Sequence, residues 1–111
     1  MTSDGESVAG YNVPVACTLD AIPADERSAH CSLAAQLFGQ LIQEHRELAD
    51  GHEFRFRLES LEALARFIAN ERKCCPFVNF DLAIGAGSDH LTLRMTGPAG
   101  TRELLRAELL R

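Results

Sequence analysis

Hydrophobic and polar residues alternate in four short stretches of the chain, a pattern typical of strands that bury one face. The stretches are residues 13–19, 53–58, 78–84 and 91–95. Pro14 cannot donate a backbone hydrogen bond, so the first strand is predicted to begin a sheet or run along its edge. The last two stretches flank a glycine-rich turn at residues 85–88, and they are therefore predicted to form a β-hairpin.

Apolar residues at helical spacing occupy the segments between and after these strands. The first helix is predicted to open at residues 20–23 and to continue until Gly51, which suits a left-handed cap. The second begins at the N-cap Ser60 and is stopped by Pro76, and the third follows residue 97. The resulting β-α-β-α-β-β-α order predicts an α+β fold, a two-layer sandwich with helices on one face of a mixed sheet.

The composition fits one soluble globular domain. Of the 111 residues, 1–10 are predicted to be a disordered lead and 11–111 a single domain. A formal charge of −5 without a basic stripe argues against nucleic acid and against an anionic membrane as partners. No secretory signal and no bilayer-spanning apolar run are found, so a cytoplasmic location is expected. Small sheets often cover their exposed edges with a second copy, so a homodimer is also expected.

Four cysteines are the main chemical feature of the chain: Cys17, Cys31, Cys74 and Cys75. In a reducing cytoplasm they are expected to be free thiols or metal ligands rather than disulfides. A bond between the adjacent Cys74 and Cys75 is further disfavoured, because neighbouring residues rarely reach relaxed disulfide geometry. Cys31 is expected to pack in the core as a small apolar residue.

The other three cysteines can meet at one end of the core. On a helical projection Cys75 shares the side of the inward residues, while Cys74 lies at the flank. Cys17 is in phase with the inward positions of the first predicted strand. If the three thiols converge, they suit a soft ion such as Hg(II), Cu(I) or As(III), whereas structural Zn(II) prefers four ligands. For Cys17, core packing is the competing interpretation.

Charged residues near the adjacent pair are candidates to assist it. Arg72 and Lys73 would favour ionised thiolates, and Glu71 or Asp81 would supply a proton or an oxygen ligand. No catalytic residue is assigned, and two alternatives to metal binding stay open. One is a thiol-dependent enzyme, acting in redox chemistry or in cleavage of an organomercurial. The other is a partner-binding domain whose cysteines are merely buried.

Residues 71–77, which read ERKCCPF, resemble the E-R-x-C-C-P-F signature of small bacterial proteins. Some of those proteins are associated with mercury and heavy-metal resistance genes. The resemblance covers about residues 13–110 and matches the family's cysteine positions at Cys17, Cys74 and Cys75, but not at Cys31. It implies an association with heavy metals through these three thiols.

Overall fold

One sheet and one layer of helices make up the computed structural model, which describes residues 15–110. The helices are α1 (Ala24–Gln36), α2 (Leu61–Cys74) and α3 (Thr101–Leu109). The strands are β1 (Glu44–Leu48), β2 (Gly51–Arg57), β3 (Asn79–Ala83) and β4 (His90–Thr96). The 3₁₀ turns Leu19–Ala21 and Leu58–Ser60 precede α1 and α2, and the π-helical segment Leu37–Leu41 extends α1.

The strands form one sheet in the order β1-β2-β4-β3, and each neighbouring pair is antiparallel. Aromatic contacts join the helices to one face of this sheet. The ring of Phe38, in the π-helical segment, lies 4.9 Å from that of Phe54 on β2 and 5.0 Å from that of Phe67 on α2. The predicted α+β two-layer fold is therefore confirmed. Its described strands are antiparallel throughout rather than mixed.

Alternation along β2 and β4 gives the sheet one apolar and one charged face. The inward side chains of these strands are at most 1% exposed, and they include Phe54, Phe56, Leu91 and Leu93. Burial of each such side chain stabilises the fold by about 1.5–3 kcal/mol. On the outer face Glu53 accepts hydrogen bonds from Arg46 and Arg94. The helices thus pack on the apolar face of the sheet, and the opposite face is an ion-paired surface.

The first helix ends much earlier than predicted. Its π-helical extension stops at Leu41, and residues 44–48 form the edge strand β1, with Leu48 opposite Gly51 in a tight hairpin. Most of these strand residues are polar and exposed, so pairing with β2 rather than local pattern decides their conformation. Gly51 is needed because a Cβ would collide with the backbone of Met95 on β4, and not because a helix ends there.

The predicted first strand is not formed in the part of it that the structure describes. Residues 15–18 are irregular, while Pro14 and the predicted lead, residues 1–10, lie outside the described residues. The Thr18 N–H donates to the Cys74 carbonyl oxygen at 2.8 Å, so this segment is bound to the end of α2 instead of the sheet. Within residues 15–110, no helix combines the length and apolar character needed to cross a membrane.

Candidate functional site

Backbone hydrogen bonds determine where the adjacent cysteines lie. Cys74 is the last residue of α2, and the N–H of Cys75 still donates to the Glu71 carbonyl oxygen at 2.7 Å. Cys75 then leaves the helical conformation, with φ −124° and ψ 73°, because the following proline disfavours a helical residue before it. The hydrogen bond from Thr18 to Cys74 brings the incoming chain against this helix end. Cys17 is thereby placed beside both cysteines.

The three cysteines proposed as ligands lie together. The Sγ atoms of Cys17, Cys74 and Cys75 are all within 4.8 Å of one another. Cys17 and Cys75 form a disulfide across a Cα separation of 4.6 Å, which is inside the usual range. The prediction that the cysteines are all free is therefore wrong for this pair. The contact between residues 18 and 74 brings Cys17 and Cys75 to a separation that suits a disulfide, whereas adjacent residues, about 3.8 Å apart at Cα, are too close for relaxed geometry.

The exposure of two cysteines differs from the predictions. Cys75 is fully buried, as its inward phase predicted, but Cys74, predicted at the flank, is only 5% exposed. Cys31, expected in the core, is exposed. Helix α1 turns His30 toward the core instead, so its neighbour Cys31 faces outward. Cys31 therefore offers a matched control thiol outside the three-sulfur cluster.

A buried carboxyl group lies directly beside the disulfide. Glu71 is 3% exposed and His30 is 5% exposed, and His30 Nε2 lies 2.9 Å from Glu71 Oε1. The second carboxyl oxygen, Oε2, lies 3.4 Å from Cys75 Sγ. From α3, Glu108 Oε1 lies 3.7 Å from the same sulfur. Two acids from two helices thus approach a single sulfur atom.

Sequence reasoning named Glu71 as a neighbour of the thiols but missed His30 and Glu108. Glu71 and Cys75 are four residues apart, a spacing that places two side chains on one helix face. The contacts of His30 with Glu71 and of Glu108 with Cys75 span 41 and 33 residues, and no local pattern signals them. His30 also stacks on Phe67 with ring centroids 5.5 Å apart, and its Nδ1 is buried without a hydrogen-bond partner among residues 15–110.

The surroundings of Cys74 keep its thiol protonated. Burial, followed by the charges of Glu71 and Glu108, raises the pKa of the Cys74 thiol from 9.0 to about 11. Arg72 and Lys73, the residues predicted to favour thiolates, are exposed in the last turn of α2. Their charges do not offset the effect of burial on this pKa.

Asp81 is not brought to the sulfur cluster. It lies on the edge strand β3, opposite Arg94 in the register with β4. Both residues are exposed, and Arg94 donates to Glu53 on the outer face of the sheet. The helices and the cysteines lie on the other face, so the acids near sulfur are Glu71 and Glu108.

A pocket of about 450 Å³ opens beside the sulfurs. Its polar and sulfur-containing lining consists of Cys17, Cys31, Cys74, His30, Glu71 and Glu108. The rest of the lining includes small and aliphatic residues: Leu19, Ala34, Ala35, Gly39, Ala107 and Leu109. No lysine or arginine is among the described residues that line the pocket. The space therefore has a sulfur and carboxyl region and a largely aliphatic region.

No protein-family model matches this chain, and no curated protein or solved structure is significantly similar to it. The fold and the site define a small α+β protein with three clustered sulfurs, two neighbouring acids and an adjoining pocket. The functional interpretation is therefore based on these features of the structure.

Proposed function

We propose that the reduced protein binds one soft metal or metalloid ion, Hg(II), Cu(I) or As(III), through Cys17, Cys74 and Cys75. The observation that supports this is the separation of the three sulfurs, all within 4.8 Å. Two sulfurs that bind one ion at about 2.3 Å each lie at most about 4.6 Å apart. Small side-chain rotations therefore suffice to bring three thiolates, which are soft ligands, onto one soft ion.

Binding requires that the bond between Cys17 and Cys75 be reduced. A cellular thiol or dithiol supplies two electrons and two protons, the S–S bond breaks, and two thiols form while the reductant becomes a disulfide. The ion then displaces the thiol protons into solvent as the sulfur–metal bonds form. In the disulfide form Cys74 is the one thiol left in the cluster, so affinity falls. A reducing compartment, the cytoplasm, is therefore the proposed location.

The acids near sulfur favour a cation over an anion. Glu71 on α2 and Glu108 on α3 approach the Cys75 sulfur at 3.4 and 3.7 Å. Carboxyl oxygens at such positions orient the ligands of a bound ion and offset its charge. The resemblance of ERKCCPF to proteins associated with mercury resistance points to the same ions.

A thiol-dependent enzyme is the second candidate, favoured by a disulfide with a third thiol next to it. In thiol–disulfide exchange the attacking species is a thiolate, and a pKa of about 11 keeps Cys74 protonated. Metal binding has no such requirement, since the ion itself displaces the proton. Metal binding is therefore the preferred function, and exchange or organomercurial cleavage stays the alternative.

Metal and thiol counting tests this choice. Reduced protein is titrated anaerobically with Hg(II), Cu(I), As(III) and Zn(II), and bound metal and free thiols are counted together. The expected result is one tightly bound soft ion per chain, with the three cluster thiols consumed and Cys31 free. The Cys31→Ser variant should bind equally well. Weak binding with every thiol still free would contradict metal binding, whereas turnover of a disulfide or an organomercurial without retained metal would favour the enzyme.

A further inference from the structure

The pocket beside the sulfurs is far larger than a bare ion requires. Its volume is about 450 Å³. A water molecule occupies about 30 Å³ of the liquid, and pockets for organic ligands begin near about 300 Å³. The three sulfurs lie within 4.8 Å of one another, so an ion among them would leave most of the pocket unfilled. The pocket therefore has room for an organic group next to the ion.

The lining of the pocket indicates which kind of organic group fits. Ala34, Ala35 and Gly39 come from α1 and its π-helical extension, and Ala107 and Leu109 come from α3. Such walls favour a small apolar group. No lysine or arginine is among the described lining residues, and Glu71 and Glu108 lie near the sulfurs, so an anionic group is disfavoured. A matching ligand has a soft, electropositive atom at one end and an uncharged hydrocarbon at the other.

We infer that this site takes an organometal or organometalloid compound, an R–Hg(II) or R–As(III) species, with R in the aliphatic part of the pocket. The inference rests on the proposed function and adds the substrate class. Cys17, Cys31 and Cys74 line the pocket and Cys75 does not. Of these three, Cys17 and Cys74 belong to the sulfur cluster, which assigns these two thiols to the soft atom. In R–As(III) the organic group takes the place of the third sulfur ligand, whereas R–Hg(II) exchanges its one displaceable ligand for a pocket thiolate and releases that thiol's proton. Cys75 is then needed for a bare As(III) ion, but not for R–As(III).

The binding step is a ligand exchange without a change of oxidation state. An arsonous acid R–As(OH)₂ has two exchangeable hydroxyl groups. Two As–S bonds form to Cys17 and Cys74, two As–O bonds break, and the two thiol protons leave with the hydroxyls as two water molecules. Arsenous acid, As(OH)₃, exchanges three hydroxyls in the same way and consumes Cys75 as well.

The test compares phenylarsine oxide, which hydrates to an arsonous acid, with arsenite. Both are titrated into reduced protein carrying Cys31→Ser, since Cys31 also lines the pocket. Phenylarsine oxide is expected to bind one per chain in this protein and also after Cys75→Ser is added. Arsenite is expected to lose at least about 100-fold in affinity with Cys75→Ser, equivalent to about 2.7 kcal/mol.

Pocket-filling variants provide a second, independent readout. A Cβ at Gly39 would meet nothing within 4 Å, so Gly39→Leu adds volume without a backbone clash. Ala107, on α3, also lines the pocket, so Ala107→Leu adds side-chain volume there. Each is expected to weaken phenylarsine oxide binding at least about tenfold, or about 1.4 kcal/mol, and to leave arsenite binding unchanged. Methylarsonous acid, with its smaller organic group, should be weakened less.

Two results would overturn the inference. If neither pocket variant affects phenylarsine oxide, or if Cys75→Ser abolishes its binding, the pocket does not hold the organic group. Arsenite binding would persist in that case, so the proposed function would survive. If the reduced parent protein binds neither compound, the proposed function fails and the inference fails with it.

Discussion

Glu53 and Glu71 are both carboxyl groups with hydrogen-bond partners, but their surroundings are opposite. Glu53 lies on the outer face of the sheet, where Arg94 and Arg46 donate to it at 2.8 and 3.1 Å. These two hydrogen bonds lower the pKa of the Glu53 carboxyl group. Glu71 is 3% exposed in the helix layer, and its neighbours are one imidazole, from His30, and the sulfur of Cys75.

The two glutamates represent two different regions: the ion-paired outer face of the sheet and the helix layer that holds the sulfurs. Surface ion pairs contribute about 0–1 kcal/mol each, so Glu53 is explained by the solvated, charged face of the sheet. A buried polar pair loses hydration, which the contact between its members must offset. Apolar residues in place of both Glu71 and His30 would avoid that loss, whereas removal of one member leaves the other buried without its partner. The location of Glu71 is therefore better explained by the chemistry of the neighbouring sulfurs than by stability.

The largest effect is expected when the sulfur cluster itself is broken. Cys17→Ser should weaken As(III) binding by about 1,000-fold, or about 4 kcal/mol, because a trivalent ion then lacks one of its three sulfur ligands. Competition against a small dithiol chelator measures this loss. Cys31→Ser is the matched control and should change affinity less than about twofold. Equal losses in the two variants would mean that binding is not localised at the cluster.

Reduction of the disulfide should lower the stability of the metal-free protein. Cys17 and Cys75 are separated by 58 residues. Closing a loop of that length stabilises the folded state by about 4 kcal/mol in the chain-entropy model. Urea unfolding of the protein with and without a reductant measures the difference. A change below about 1 kcal/mol would show that the helix end and the incoming chain are held together without the bond.

Replacing each glutamate tests the comparison between the two regions directly. Glu71→Ala should reduce the free energy of unfolding by about 2 kcal/mol, because it leaves the buried imidazole of His30 without its hydrogen-bond partner. Glu53→Ala should cost about 1 kcal/mol or less, since its arginines become solvated. Both values come from denaturant unfolding under the same conditions. Equal losses of unfolding free energy at the two positions would mean that Glu71 is no more dependent on its buried surroundings than Glu53 is on the surface.

The smallest effect concerns the reactivity of Cys74 in the oxidised protein. Its pKa of about 11, against an ordinary value of 9.0, lowers the thiolate fraction near pH 8 by about 100-fold. Because the raised pKa keeps the thiol protonated, alkylation by iodoacetamide should be slow near neutral pH. Its rate should rise about tenfold per pH unit up to about pH 10. Exposed Cys31 serves as the internal reference, and mass mapping separates the two sites. A Cys74 rate that is independent of pH would contradict the assigned environment.

The parts of the fold that could be predicted are those with a pattern of their own. The alternation in β2, the hairpin of β3 and β4, and the end of α2 before Pro76 are all visible in short stretches of sequence. β1 was not predictable in this way, since its residues are polar and mostly exposed and pairing with β2 decides their conformation. Prediction of secondary structure from local sequence fails where pairing with a neighbouring strand overrides the conformational preference of the residues.

In the candidate site, too, only local features could be predicted from the sequence. The inward phase of Cys75 near the end of α2 is a local property, and it was predicted. The predicted strand that gave Cys17 its phase is not formed, and Cys17 instead reaches the cluster through the hydrogen bond from Thr18 to Cys74. The disulfide, the His30–Glu71 contact and the approach of Glu108 span 58, 41 and 33 residues. Contacts over such distances depend on how the helices pack, which no window of sequence contains. A local feature could have drawn attention to His30, because helical spacing places it on the buried side of α1.

The most direct test of the central claim is X-ray absorption at the arsenic edge of reduced, As(III)-loaded protein carrying Cys31→Ser. The expected spectrum is that of one arsenic atom with three sulfur neighbours, which Cys17, Cys74 and Cys75 alone can then supply. Adding Cys17→Ser should replace one sulfur neighbour by oxygen. A first shell composed of oxygen in the parent protein would contradict the claim that these three sulfurs bind one soft ion.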